Sequence, residues 1–369
     1  MARLQEFAED CVELAVERYN KGQISRRTLI QGLTALGAVG LSSGLGGASA
    51  AAKEVVMATW GGDSQKAFVA VFGPLYEKAG GKFVYDESGP SNGKIKAMVD
   101  AKNVTWDVCD AGVGAIGELG PRGLLEKIDY SVVDKSKVPA EFAYEYGICN
   151  YMSSFVLAWN KKQVSGEPTL ADFFDVKKYP GKRALRKSST AMLEMALMAD
   201  GVPADKLYPL DRARAFKKIS SIKDDLIFWD TGSRSMDILR NGDVAMAYIW
   251  NTRANVLKRE ANAEVDYTFK GGFLMPACWV VPKGNPAGKL AMEAIAVMQD
   301  PKAQIALLDL LGNGPANPAA RALETPEQLA IDNGSPANAA VQAKTSADWY
   351  RDYFADSEKA YVDLITSFS

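Results

Sequence analysis

The side chains of this sequence that could do chemistry stand where apolar runs end. Trp60 and Asp63 follow one run, Asp110 closes another, and Ser188-Ser189-Thr190 follows a third. Trp229, Thr231, Ser233 and Ser235 mark a fourth end, Trp250, Asn251 and Arg253 a fifth, and Phe273 and Trp279 a sixth. Aromatic walls with a few fixed polar groups are what small-molecule sites look like. A tryptophan wall attracts an ammonium group through the ring quadrupole when a carboxylate completes the pairing. Asp63 and Asp110 are the carboxylates at hand, and the planar fork of Arg253 suits a carboxylate on the ligand. Ser188-Ser189-Thr190 reads equally as a helix N-cap and as an anion seat of free N–H groups. For each Trp taken singly, ordinary core packing is the competing reading.

What is missing narrows the chemistry. The 369 residues include no histidine, so Ser-His-Asp and Cys-His nucleophile systems and the common His-containing zinc sites are out. Cys11, Cys109, Cys149 and Cys278 form no CxxC pair, which removes thioredoxin-like and ribbon-type metal readings. One disulfide among the last three remains open. There is no phosphate loop and no GxSxG. Gly112-Val113-Gly114-Ala115-Ile116-Gly117 fits GxGxxG, but no suitably placed acidic ribose partner completes a dinucleotide unit, and a Gly-rich turn into a helix is the plainer reading. An Asp63–Asp110 dyad is what an exported carboxylate-dependent enzyme would use. No cofactor is called for. A net charge of −2 gives no reason to bind nucleic acid or an anionic membrane. Aromatics, hydroxyls, carboxylates and Arg keep their charge near neutrality, so binding is expected to change little between about pH 6 and 8.

These side chains need a frame that brings strand ends together. Short apolar runs over 54–59, 82–85 and 106–110 alternate with helical patterns over 65–79, 92–102 and 113–122. A second set follows, with strands over 153–160, 183–186, 227–229, 245–250 and 279–282 and helices over 190–199, 211–222, 233–241 and 253–261. From Gly288 on the pattern is mainly helical, interrupted at 315–318. Alternation of this kind implies an α/β fold with mixed, mostly parallel sheets flanked by helices. Ligands in open α/β sheets bind at the C-terminal ends of the strands.

The first fifty residues read as an address. Arg26-Arg27 precedes a weakly apolar run rich in Gly, Ala and Ser, which ends at Ala48-Ser49-Ala50. That is a twin-arginine-type export signal with a small-x-small cleavage site; a membrane anchor is the weaker alternative. The segment carries five basic and five acidic residues, so its removal leaves the net charge unchanged. The mature protein is expected in the periplasm.

Several further stretches, taken in order, carry a resemblance. They are Thr59-Trp60-Gly61-Gly62, Gly123-Leu124-Leu125-Glu126-Lys127-Ile128-Asp129, Ala171-Asp172-Phe173-Phe174-Asp175 with Tyr179-Pro180-Gly181-Lys182-Arg183, and Ala199-Asp200-Gly201-Val202-Pro203. Asn241-Gly242-Asp243-Val244, Trp250-Asn251-Thr252-Arg253 and Trp279-Val280-Val281-Pro282-Lys283-Gly284 complete the series. Across residues 54–330 the chain resembles the polyamine-type solute-binding proteins of bacterial ABC importers. The resemblance implies a two-lobed periplasmic-binding-protein fold, type II-like. Lobe 1 would be residues 53–157 plus about 284–325, and lobe 2 residues 158–281 plus about 326–369. The chain would cross near 155–160 and 280–283.

The resemblance also implies a function. A small amine-bearing solute, a polyamine or an ω-amino acid, would be captured between closing lobes and passed to an ABC permease in the inner membrane. The protein would be a monomer and not an enzyme; a ligand carrier for a chemosensor is the neighbouring reading. Trp60, Trp229, Trp250 and Trp279 would wall the ligand, with Asp63 or Asp110 near its ammonium. Two departures bear on the ligand's charge. Arg186-Lys187-Ser188-Ser189 and Met275-Pro276-Ala277-Cys278 stand where polyamine binders carry acids, and an unpaired buried charge is costly. A zwitterion such as 4-aminobutyrate, with Arg253 on its carboxylate, fits better. Cys109 and Cys149, both at strand ends of lobe 1 and bound for an oxidising compartment, are the pair that a disulfide could join, and the sequence leaves open whether it does.

Overall fold

The computed structural model describes residues 53–260 and 264–368. The export-signal reading falls on residues 1–50, outside the described residues. Strand β1 (Lys53–Ala58) leads through helix α1 (Gly62–Lys78) to β2 (Gly81–Asp86), and α2 (Asn92–Asp100) leads to β3 (Val108–Gly112) and α3 (Val113–Leu119). β1 pairs in parallel with both β2 and β3. After a short β4 (Ala143–Tyr144) comes β5 (Gly147–Asn160), buried at every position. A Thr169–Asp172 capping box opens α4 (Leu170–Phe174).

The second half repeats the alternation. β6 (Arg183–Arg186), α5 (Met192–Ala199), α6 (Arg212–Ser220), β7 (Leu226–Trp229), α7 (Gly232–Arg240), β8 (Met246–Trp250) and α8 (Asn251–Arg259) follow in turn. β6 pairs in parallel with β7 and β8. The long β9 (Val265–Val280) then runs back through the molecule. α9 (Leu290–Met298), α10 (Pro301–Leu311), β10 (Gly314–Pro315), α11 (Pro318–Arg321), α12 (Pro326–Ile331), α13 (Pro336–Ala339), β11 (Ala343–Lys344) and α14 (Ala347–Thr366) complete the chain.

Among the described residues the strands form one mixed sheet, with the main order β2-β1-β3-β9-β5-β8-β6-β7. The two wings are parallel, and β9 and β5 join them through antiparallel pairs. One core gathers Val55, Phe68, Ile116, Ile148, Trp279 and Leu307. The other gathers Phe155, Phe173, Leu197, Trp229, Ile249 and Tyr361. The cores part between Met152 and Phe155 on β5 and between Phe273 and Leu274 on β9. The sequence reading places the second crossing at 280–283, because only the end of β9 looks like a strand in sequence. Thr268, Lys270, Gly271, Gly272 and Pro276 break the apolar pattern along it.

The register of the β5–β9 pair shifts twice, between Cys149 and Tyr151 and between Phe155 and Leu157. At the second shift, residues 269–272 of β9 find no opposite number on β5; a bulge of this kind bends the strand locally. The Cys109–Cys149 disulfide that the sequence leaves open is absent: Cys109, Cys149 and Cys278 are free and buried. β9 runs between the strands that carry Cys109 and Cys149. Two strand spacings, about 9.6 Å, exceed the roughly 7 Å that a disulfide can span between Cα atoms. Cys149 lies opposite Cys278 instead.

Candidate functional site

The strand ends of both wings face a cavity of about 590 Å³. Trp60, Asp110, Trp250, Arg253 and Phe273 line it, as the sequence reading expects of them. Trp60 follows β1 and stays 37% exposed at the mouth, its ring 6.3 Å from that of Trp250. Arg253 sits in the first turn of α8 and is 3% exposed. Its Nη2 donates to Ser64 Oγ at 3.0 Å, while its Nη1 is buried with no protein partner. A side chain on Gly232 would overlap the Arg253 guanidinium, so a glycine at the start of α7 is what gives the arginine its path.

Asp110 is the buried acid of the cavity, 2% exposed in the middle of β3. The Tyr151 hydroxyl lies 2.7 Å from both of its oxygens and donates to them. Burial pushes the Asp110 carboxyl up to about 7, opposed by the Tyr151 hydrogen bond and the Arg253 charge. A carboxyl lifted toward neutrality thus lines the cavity, where the sequence reading expects only groups of fixed charge. Burial moves Arg253 downward, against the charges of Asp63, Tyr151 and Asp110.

The aromatic box holds a cation of the protein's own. The Arg186 guanidinium carbon lies 4.8 Å from the Trp250 ring centre, 5.8 Å from Trp229, 5.9 Å from Trp60 and 6.0 Å from Phe155. Burial brings Arg186 down to about 10, opposed by the charge of Glu358, so it remains cationic at neutral pH. Three of the four tryptophans expected to wall a ligand ammonium, Trp60, Trp229 and Trp250, instead surround this guanidinium, which turns the box toward anions.

The other expected residues lie off the cavity wall. Trp229 is fully buried behind Trp250, with ring centres 5.1 Å apart. Trp279 is fully buried in the other core, edge-on to Phe68 at 5.5 Å. Asp63 pairs with Lys66 at 3.3 Å beside a separate groove. Thr231 caps α7 by accepting the Arg234 N–H at 3.2 Å, and Ser233 is exposed in that helix's first turn. Asn251 is a staple: its Oδ1 accepts the Ser154 N–H at 2.9 Å and its Nδ2 donates to the Gly312 carbonyl at 2.7 Å. Ser189 is buried beside the wall, its N–H and hydroxyl both bonded to Glu358. The seat that reads equally as a cap or an anion site thus holds an internal carboxylate.

Sequence reasoning misses Tyr151 and the whole face supplied by α14, namely Tyr350, Phe354, Ala355 and Glu358. Arg186 is visible in sequence only as a basic residue in an unexpected place. Of the three GxGxxG glycines, Gly117 has a packing explanation. A Cβ on Gly117 would come within 3.0 Å of Arg351 Cβ, and one on Gly114 within 3.9 Å of the Tyr350 ring. The small residues let α14 pack close on α3.

A family model described as bacterial extracellular solute-binding protein matches residues 71–340. A gamma-aminobutyric acid-binding protein of Pseudomonas aeruginosa is 30% identical over 323 residues, 85% of this chain and 91% of that one. The binding protein AgtB of Agrobacterium tumefaciens R10, solved with agropinic acid, is 34% identical over 85% of this chain and 98% of its own, with a TM-score of 0.80. AttC of Agrobacterium tumefaciens C58, solved open and unliganded, is 29% identical over 85% of this chain and 99% of its own, but its TM-score is 0.61. A spermidine/putrescine-binding protein of Streptococcus pneumoniae is 16% identical over 85% of this chain and 98% of its own. With a TM-score of 0.65 it shares the fold alone.

Proposed function

The chain belongs to the bacterial extracellular solute-binding protein family of ABC importers, and on that premise we propose that it captures a small zwitterionic amino acid of the 4-aminobutyrate class. It is not an enzyme. The observation that carries the ligand class is the unpartnered Nη1 of buried Arg253 in the cavity wall. An unsatisfied buried donor is expensive, and a ligand carboxylate satisfies it. Asp110, in the same cavity, takes the ammonium. A polyamine is disfavoured, because the aromatic box is already filled by the Arg186 cation and a second cation there would be repelled. The relative that binds gamma-aminobutyric acid supports the same class.

Residues 1–50 direct export to the periplasm, and the mature protein works as a monomer that docks on a membrane permease. Two lobes built on the two cores, with crossings in β5 and β9, close over the solute, and the closed form is what the permease reads. Higher similarity to the liganded relative than to the open one supports reading the present structure as closed.

Cavity size favours a second reading. About 590 Å³ falls in the range of drug-sized ligands and exceeds what a four-carbon amino acid fills, so an amino acid with a bulky polar substituent also fits. Calorimetric titration of the mature protein with 4-aminobutyrate, putrescine and spermidine tests the class. Binding of spermidine alone would sink it. Mass spectrometry of ligand released on denaturation separates the two readings.

A further inference from the structure

Glu358 has no counterpart in the ligand scheme above, yet it lines the cavity. Its Oε2 accepts the Ser189 N–H at 2.7 Å, the Ser189 hydroxyl at 2.6 Å and the Ser188 hydroxyl at 3.2 Å. Three convergent donors make an anion seat. The seat lies two residues beyond Arg186, whose charged form Glu358 helps to stabilise. Its loop is shaped to match: Ala191, just past it, has φ +68, a left-handed conformation that non-glycine residues seldom adopt, and its N–H donates to the Tyr350 hydroxyl at 3.3 Å. Both clamps on this loop, Tyr350 and Glu358, come from α14.

We infer that Glu358 is a specificity-determining residue, a built-in carboxylate that fills the second anion seat of the cavity and so refuses dicarboxylates. The inference rests on the reading of this cavity as the ligand site. The first seat is Arg253 and the second is Arg186 with Ser188 and Ser189. Both guanidiniums flank one indole, at 4.8 Å and 6.0 Å from the Trp250 ring centre. An empty pair of seats against the same indole would offer one cationic anchor to each end of an α,ω-diacid. With Glu358 in place, the second carboxylate of such a ligand meets an occupied seat and a like charge. A zwitterion, with one carboxylate, is accepted. Discrimination of this kind works by exclusion: repulsion turns the wrong ligand away, whatever attraction favours the right one.

Titration of the wild-type, Glu358→Ala and Glu358→Gln proteins with 4-aminobutyrate and with glutarate tests this. The wild type should bind glutarate weakly or not at all. Glu358→Ala empties the seat and should gain glutarate affinity by about tenfold or more, which is roughly 1.4 kcal/mol. Glu358→Gln keeps the shape, loses the charge and should gain less. Glutarate affinity unchanged within about twofold in both variants, with their melting curves intact, would overturn the inference. So would loss of 4-aminobutyrate binding in Glu358→Ala without any gain for glutarate, which would make Glu358 an ammonium partner. If no protein binds 4-aminobutyrate but Glu358→Ala gains glutarate, the seat stands and the proposed ligand class falls.

Discussion

At the scale of single residues, the site is governed by two arginines taken out of water and one carboxyl pushed toward neutrality. Asp110 must be ionised to hold an ammonium, and burial makes that ionisation incomplete at pH 7. A ligand amine should therefore bind more weakly as pH falls through about 7. With the carboxyl near 7 in the empty protein, affinity should drop about tenfold from pH 8 to pH 6. Calorimetry at several pH values measures this, and Asp110→Asn should bind weakly with no slope. A wild-type affinity independent of pH would mean that Asp110 does not face the ammonium. Much of this site is legible in the sequence. Trp60, Trp250 and Arg253 can be found because they stand where strands end toward the cavity, whereas Asp110 and Phe273, though read as strand ends, lie within β3 and β9. Trp229 and Trp279 share that position but face the cores. A strand covered on both faces shows no alternation to tell inward from cavity-facing, and that is the physical limit reached here.

At the scale of elements, the contribution of α14 is hidden. Its residues lie some two hundred positions from the strand ends they complete, and no local pattern signals that docking. Only the glycines of α3 carry a trace of it, and in sequence they look like a turn signal. Gly117→Val should put a branched side chain against Arg351, since even a Cβ there comes within 3.0 Å of Arg351 Cβ. Overpacking of this kind costs about 1–3 kcal/mol. Because α14 bears Tyr350, Phe354 and Glu358, ligand affinity should fall about tenfold while the melting temperature falls only modestly. Titration and thermal unfolding on the same sample measure both. Unchanged affinity would show that α14 keeps its place without the close contact. Strand β9 is half-legible for a related reason. Gly271, Gly272 and Pro276 look like turn residues in sequence, yet all three lie inside β9: Pro276 pairs with Met152 of β5, and the glycines fall in the bulged stretch between paired residues Thr268 and Phe273. Tertiary pairing overrides local propensity at such positions.

At the scale of the whole molecule, buried carboxyls set how stability responds to acid. Glu194 is 1% exposed and accepts hydrogen bonds from Tyr208 and Tyr350, both at 2.9 Å. Burial lifts it to about 7 against those hydrogen bonds. Burial and the charge of Asp332 likewise lift Glu324 to about 7, against the pull of Arg321. A carboxyl raised in the folded state keeps a proton that the unfolded chain has released. Stability therefore falls as pH rises from the ordinary glutamate range to about 7, and is level above it. The ligand-free protein should melt a few degrees higher at pH 6 than at pH 8, with a gain on the order of 1 kcal/mol from Glu194. Differential scanning fluorimetry across that range checks the sign, and Glu194→Gln should flatten the curve. A melting temperature that falls on acidification would mean these groups are ionised in the fold.

The passage of β5 and β9 through both cores has a mechanical consequence. Both crossings lie within strands, so the proposed closure would bend β5 near residues 149–157 and β9 near residues 269–272, where the register of the pair shifts. Such a joint behaves as a leaf spring. On the proposed closure, bending these strands would store elastic work that favours reopening.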